Sequence, residues 1–215
     1  MTQVNIPPSR LAEAFEFASW LHADQYRKQT KDEDESLRIQ YLTHLAEVLA
    51  LVILGRGNED QQIAALLHDA LEDQPETPDG FDTEAVILEK FGQNVLDLVR
   101  ACTDGEPGEE RGAESWRRRK EAHIAHLAET VKHTPDVALI TLADKLSNCQ
   151  AIVNDLLSDG AHVWERFNAD RVSICWYYNS MFEVLEGSLG ADNSLVKRLA
   201  RQIVELNNLA QPVPA

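Results

Sequence analysis

The sequence predicts an all-α fold, a bundle of about eight to ten helices with a metal site between them. Three observations carry this reading. Apolar residues recur at i, i+3 and i+4 in one stretch after another, as in Leu11, Ala14, Phe15, Ala18 and Leu21. Residues that cap or stop helices punctuate those stretches. No segment shows the period-two alternation of a half-buried strand, and no internal repeat is present.

Taken in order, Pro7-Pro8 forms a rigid lead-in and Ser9 caps a first helix, whose apolar stripe runs into His22 and Tyr26-Arg27-Lys28. Gln29 to Ser36, with Lys31-Asp32-Glu33-Asp34-Glu35, is charged and aperiodic and reads as an exposed loop. Thr43 is the expected cap of a second helix, with Leu45, Leu49, Val52 and Ile53 inward and Gly55 and Gly57 at its end. Asn58 caps a third, with Gln61 placed to return the bond, and Ile63, Leu66, Leu67 and Ala70 bury it. That helix is expected to run on to Asp73, with Pro75 as its stop. Gln74 to Gly80 is loop. Asp82 or Thr83 starts a fourth helix through Val86, Ile87 and Phe91, which Gly92 closes; Asn94 caps a fifth with Val95, Leu98, Val99 and Cys102.

Thr103 to Gly112 is a polar loop, and Glu114 to His133 a long polar helix bearing Arg117-Arg118-Arg119-Lys120. Thr134-Pro135 opens an apolar helix, Val137, Ala138, Ile140 and Leu142, that continues through Ala143 to Asn148. After Ser158-Asp159-Gly160 another long helix carries Trp164, Phe167, Trp176, Tyr177, Tyr178 and Phe182, aromatics at helical spacing that read as core. A last amphipathic helix, Ser194 to Asn208, carries Leu195, Leu199, Ile203 and Leu206 before Pro212-Val213-Pro214. Residues 1–190 read as the main domain, and 191–215 as a C-terminal helix packed on it with a frayed tail.

The net charge of −16 disfavours nucleic acid as a partner, because the summed field repels a polyanion. A small anion remains compatible wherever basic residues gather. Two groups do so, Arg27-Lys28-Lys31 and Arg117 to Lys120, although each alone reads as a solvated face. No apolar run is long enough for a bilayer, so no membrane partner is expected, and Met1 to Asn5 lacks the features of a signal peptide. Cys102, Cys149 and Cys175 are odd in number and form no CxxC pair, which suits small buried side chains in a reducing cytoplasm. A homo-oligomer is left open.

The chain is organised around Ala64 to Asp73. Within a helix, Glu72 lies at i+4 from His68 and i+3 from Asp69, and Asp73 at i+4 from Asp69. So dense an acidic cluster repels itself unless a cation sits in it. His44 and Asp144 supply further donors, since a carboxylate inside an apolar helix needs a partner. Two imidazoles and two carboxylates suit a divalent transition ion with room for water, and differ from the thiolate set of structural zinc. Mn²⁺ fits the ligand types; Fe, Co and Zn stay open. His123 and His126, at i and i+3, read as a solvated helix face rather than a second site.

Three segments also carry a resemblance. Tyr41-Leu42-Thr43-His44, Ala65-Leu66-Leu67-His68-Asp69-Ala70-Leu71-Glu72-Asp73 and Leu142-Ala143-Asp144-Lys145-Leu146-Ser147-Asn148 resemble the H…HD…D signature of HD-superfamily phosphohydrolases. More narrowly, they are similar to the hydrolase domain of RelA/SpoT-type enzymes, including stand-alone small alarmone hydrolases. The likeness runs from about Ser9 to Gly187, and the tail beyond is too short for the synthetase domain of the long bifunctional relatives. It implies His44, His68, Asp69 and Asp144 as ligands of Mn²⁺ and Glu72 and Asp73 as the catalytic acidic pair. It further implies Arg27 and Lys28 as basic residues near a nucleotide, Asn148 as a polar contact beside the last ligand, and Tyr177 as an aromatic near the substrate. Leu45 departs from the pattern, which has proline after the first histidine; the segments Asp32 to Glu35 and Thr103 to Gly112 depart as well.

The implied reaction is hydrolysis of the 3′-pyrophosphate of ppGpp or pppGpp, giving GDP or GTP and pyrophosphate. Glu72 or Asp73 would orient the water or take its proton while the partner protonates the leaving oxygen; which does which stays open. Arg27, Lys28, Lys145 and Arg118 are the cations available to offset the pyrophosphate charge. Two alternatives stand beside this. One is hydrolysis of another small nucleotide: an adenine alarmone, a phosphorylated dinucleotide such as NADPH, or a nucleoside monophosphate. The other is a non-catalytic module that binds nucleotide as a sensor or antitoxin-like partner.

Overall fold

The helices start where side chains can satisfy the orphan amides of a first turn. In the computed structural model, which describes residues 9–28, 38–103 and 112–211, Ser9 Oγ accepts from the Ala12 amide at 3.1 Å and opens α1, Arg10–Leu21. Asn58 and Gln61 exchange side chain-to-backbone bonds of 2.9 Å, the reciprocal capping box expected for α3. Ten α-helices are described and no strand is, so the all-α expectation holds. Between and after these two run α2 (Leu42–Leu54), the single-turn α4 (Ala70–Asp73), α5 (Thr83–Phe91), α6 (Gln93–Cys102) and α7 (Ala113–His133). Then follow α8 (Val137–Asp159), a short 3₁₀ helix (Ala161–Arg166), α9 (Arg171–Leu189) and α10 (Ser194–Leu209).

The central element is α8. Every residue from Val137 to Asp144 is buried, so this helix is covered on all sides, by α2, α3, α6, α9 and α10. α3 is the second axis: Ile63, Ala64, Ala65, Leu66 and Leu67 are completely buried, against α1, α2 and α6. Where α2 leaves the core, Gly55 lets the chain run close to α8. A Cβ there would lie 2.6 Å from Leu139 Cδ1, and the φ of −75° shows that space, not backbone conformation, demands the glycine.

Several local expectations are corrected. Phe15 is outward and Phe17 buried in its place, because Phe17 packs on Phe91 of α5, with 6.0 Å between ring centroids. Ile53 is exposed while Val48 and Leu51 face inward; α2 is apolar around most of its circumference, so spacing alone does not choose the buried side. Thr43 is not a cap: α2 begins one residue earlier, and the Thr43 hydroxyl donates to the Gln40 carbonyl at 2.8 Å. α6 starts at Gln93 rather than after Asn94, with Gly92, at φ +88°, as the joint between α5 and α6. Pro135 belongs to a tight turn before α8, in which the Val137 amide donates to the Thr134 carbonyl. The late aromatic helix is two elements, because Asp170 accepts from the Ser173 amide at 2.8 Å and starts α9 afresh.

The three cysteines are free, Cys149 being buried. No described helix is long and apolar enough to cross a membrane. Pro7-Pro8, the loop expected at Gln29 to Ser36, residues 104–111 and the Pro212 to Pro214 tail lie outside the described residues. α10 packs against α8 and α9.

The Gly55 contact is open to test. Gly55→Ala is expected to destabilise the protein by about 1–3 kcal/mol through overpacking. Gly187→Ala, where a Cβ meets nothing within 4 Å, is expected to stabilise α9 by up to ~1 kcal/mol. Denaturant titration compares the two, and equal shifts at both positions would contradict the close approach of α2 to α8.

Candidate metal centre

Three chain segments converge beside the middle of α8. His44 comes from the first turn of α2, and Asp144 from the buried half of α8. His68 and Asp69 form a turn between α3 and α4, rather than the end of one helix continuing to Asp73. The turn stays right-handed, with Asp69 at φ −97° and ψ −1°, and the Asp73 amide donates to the Asp69 carbonyl at 2.9 Å. Glu72 and Asp73 therefore still follow one turn after the His-Asp pair.

The donor atoms meet closely. His44 Nε2 lies 3.3 Å from Asp144 Oδ1 and 3.7 Å from Asp69 Oδ2; His68 Nε2 lies 3.0 Å from Asp69 Oδ2 and 3.7 Å from Asp144 Oδ1. One ligand atom each from His44, His68 and Asp144, all buried, falls within 4.8 Å of the others.

The tautomers follow from the hydrogen bonds behind the rings. His68 Nδ1 is 2.9 Å from the Ala65 carbonyl, which only accepts, so Nδ1 carries a proton. His44 Nδ1 is 3.0 Å from Ser147 Oγ, whose own proton goes to Glu47 Oε2 at 2.8 Å, so this Nδ1 is also the donor. In their neutral forms both imidazoles thus turn a bare Nε2 toward the same point. Neither Nε2 makes a hydrogen bond of proper geometry, although both are fully buried. Two buried nitrogen lone pairs beside two carboxylates fit a divalent cation by ligand type, charge and convergence.

Electrostatics agrees with that fit. Burial opposes charge on Asp69, yet His68 in its protonated form holds its carboxyl below the ordinary range. Asp144 is likewise held far down against burial, by Lys145, whose Nζ is 2.8 Å from Oδ2, and by protonated His68. Burial would depress His68, but Asp69 and Asp144 outweigh it and raise its pKa well above the usual value. Without an ion, the proton on His68 does the neutralising; a divalent cation takes that place.

The flanking groups are tied to this centre. The Tyr41 hydroxyl donates to Asp69 Oδ2. Asn148 Nδ2 donates to Asp144 Oδ1, and Asn148 Oδ1 accepts from Arg27 Nη2 at 3.2 Å, so Asn148 links the loop cation to the ligand. Gln25 Nε2 donates to Asp73 Oδ2 at 2.7 Å, and the His22 Nδ1–H, 2.6 Å from Gln25 Oε1, fixes which way that amide faces. A cavity of about 30 Å³, the volume of one or two waters, adjoins His68, Asp69, Glu72, His123, Asp144 and Lys145. Glu72 thus borders the cavity, whereas Asp73 is turned toward Gln25. Lys28 is exposed beside Arg27. Tyr177 is buried and sits under two ammonium groups, Lys120 Nζ 4.8 Å and Lys145 Nζ 5.7 Å from the ring centroid.

His123 corrects the expectation of a solvated face. It is buried against Tyr177, with burial and the nearby Lys145 pushing its pKa down to about 3, while His126 is exposed. Its helical spacing to Leu127 and Trp116 was the available signal. Tyr41, Gln25, Ser147 and Glu47 are further residues that the sequence did not single out.

Because a cation replaces the His68 proton, binding of a divalent ion is expected to release about one proton and to tighten as pH rises. Calorimetric titration in two buffers of different ionisation enthalpy measures this. Binding with no proton release would contradict the charge arrangement.

Comparison with known proteins agrees with the fold. Over 140 residues, 65% of this chain, it is 31% identical to a guanosine-3′,5′-bis(diphosphate) 3′-pyrophosphohydrolase of Aquifex aeolicus (strain VF5), and the match spans 17% of that relative's length. A solved metazoan ortholog of SpoT, described as hydrolysing ppGpp and playing a role in starvation responses, superposes with a TM-score of 0.67 over 96% of this chain and 99% of its own, at 24% identity. A Listeria monocytogenes EGD-e protein gives a TM-score of 0.60 at 26% identity over 74% of this chain and 96% of its own. The family model described as HD domain matches residues 14–175, and the chain belongs to the HD domain family.

Proposed function

We propose that this protein is a metal-dependent phosphohydrolase that removes the 3′-pyrophosphate of guanosine alarmones, converting ppGpp or pppGpp to GDP or GTP. The observation that carries the reading is the pair of buried, unbonded Nε2 atoms converging on two carboxylates, with Glu72 on the adjoining cavity. The guanosine substrate is supported by the name of the Aquifex relative. In this reading His44, His68, Asp69 and Asp144 hold the ion, for which Mn²⁺ is proposed on ligand type. Residues 1–190 form the hydrolase unit and α10 buttresses α8.

When bound, a divalent ion lowers the pKa of its water and polarises a phosphoryl oxygen. The chain's own groups do the rest. Glu72, on the cavity wall, is placed to take the proton of the attacking water. In this reading Asp73, which Gln25 orients, serves in its protonated form as the acid for the leaving 3′ oxygen. Lys145, fixed beside Asp144, presents positive charge to the pyrophosphate, and Arg27 and Lys28 meet the nucleotide at the rim. Asn148 holds Arg27 against Asp144, and Tyr177 supports Lys145 and Lys120 from beneath. These cations offset a net charge that otherwise repels an anionic substrate.

Mn²⁺-loaded protein is expected to release pyrophosphate from ppGpp with higher kcat/KM than from an adenine alarmone, NADPH or a nucleoside monophosphate. Glu72→Gln and Asp73→Asn are each expected to lower kcat by about 10²–10⁴-fold while the metal content stays that of the native protein. Pure holoenzyme that releases no pyrophosphate from ppGpp overturns the reading; faster turnover of another member of the panel reassigns the substrate.

A further inference from the structure

Behind His44 lies a pair of groups that neither binds the ion nor borders the cavity. Ser147 Oγ is 3.0 Å from His44 Nδ1 and 2.8 Å from Glu47 Oε2. Ser147 is buried and follows Asp144 by three residues on α8; Glu47 is exposed and follows His44 by three residues on α2. Each therefore sits one helical turn from a proposed ligand of its own helix, and together they bridge the two helices.

The hydroxyl has a single proton. A carboxylate cannot donate, so that proton is committed to Glu47, and the Ser147 lone pairs are left to accept from His44 Nδ1–H. Remove the carboxylate and the hydroxyl can rotate to donate to a bare Nδ1. The Nε2–H tautomer then becomes equally well bonded, and it offers no lone pair toward Asp144 and Asp69. His68 needs no such device, because the Ala65 carbonyl behind it is unable to donate.

We infer that Glu47, acting through Ser147, is a positioning residue that holds His44 in the Nδ1–H tautomer required for metal ligation. An exposed side chain thereby sets the state of a buried one. The inference rests on the metal-binding part of the proposed function and not on the identity of the substrate.

Long-range ¹H–¹⁵N correlation spectra of metal-free protein at mildly alkaline pH report the tautomer directly. Wild type is expected to show His44 as Nδ1–H, and both Glu47→Ala and Ser147→Ala to shift it toward Nε2–H. Competition with a chelator is expected to show Mn²⁺ affinity lower by about 10–100-fold in each variant, with the double variant little worse than either single one. Glu13→Ala, which removes an equal charge from an exposed position on α1, is expected to change neither. His44 found as Nε2–H in wild type, or Glu47→Ala with wild-type tautomer and affinity, overturns the inference. Because Glu47 is exposed, its variant tests the relay even if Ser147→Ala fails to fold. A protein that binds Mn²⁺ but releases no pyrophosphate leaves both readouts intact, so failure of the proposed reaction and failure of the relay are told apart.

Discussion

Asp144 is carried in ionised form into the interior of a helical bundle and Asp69 to a half-buried place beside it, and most of the surrounding structure answers to the cost of keeping them so. An isolated carboxylate in such a place would take up a proton instead. Here protonated His68 holds both acids deprotonated against burial, and Lys145 adds to it at Asp144. The compensation is incomplete in one specific respect: two imidazole nitrogens converge on the acids without a hydrogen bond of good geometry. Positive charge at that point serves every group at once, whether a proton on His68 or a divalent cation.

Such convergence requires helices that do not shift. α8, enclosed by α2, α3, α6, α9 and α10, carries Asp144, Ser147 and Asn148 on neighbouring turns, so one rigid element delivers a proposed ligand and the supports of two other residues. α2 is held to α8 through Gly55 and again through the Ser147 bridge. The break at His68-Asp69 keeps right-handed geometry, which leaves Glu72 on the cavity while Asp73 reaches Gln25. The proposed ligands and the proposed acid–base groups thus share one short segment yet face different partners.

Much of this was legible in the residues. The caps at Ser9 and Asn58 are local chemistry, and α10 spans Ser194–Leu209 against an expected Ser194 to Asn208. Polar residues embedded in apolar helices marked His44, His68 and Asp144 without any knowledge of packing. The errors of burial and the missed Ser147–Glu47 bridge share a cause, since each needed a partner distant in sequence. Phe17 rather than Phe15 is buried because Phe91 is there. His123 is buried because α7 lies against Tyr177 of α9. Ser147 and Glu47 acquire meaning only when α2 and α8 are in register. Helical periodicity narrows the buried face, and tertiary contact then selects among neighbouring choices.

The central claim is that one divalent ion is held through the Nε2 atoms of His44 and His68 with Asp69 and Asp144. Anomalous scattering from crystals grown with Mn²⁺ tests it most directly. The account predicts a single strong peak within bonding distance of both Nε2 atoms and of one oxygen from each carboxylate. A peak bound through either Nδ1, a peak elsewhere, or an empty centre at saturating Mn²⁺ would contradict it.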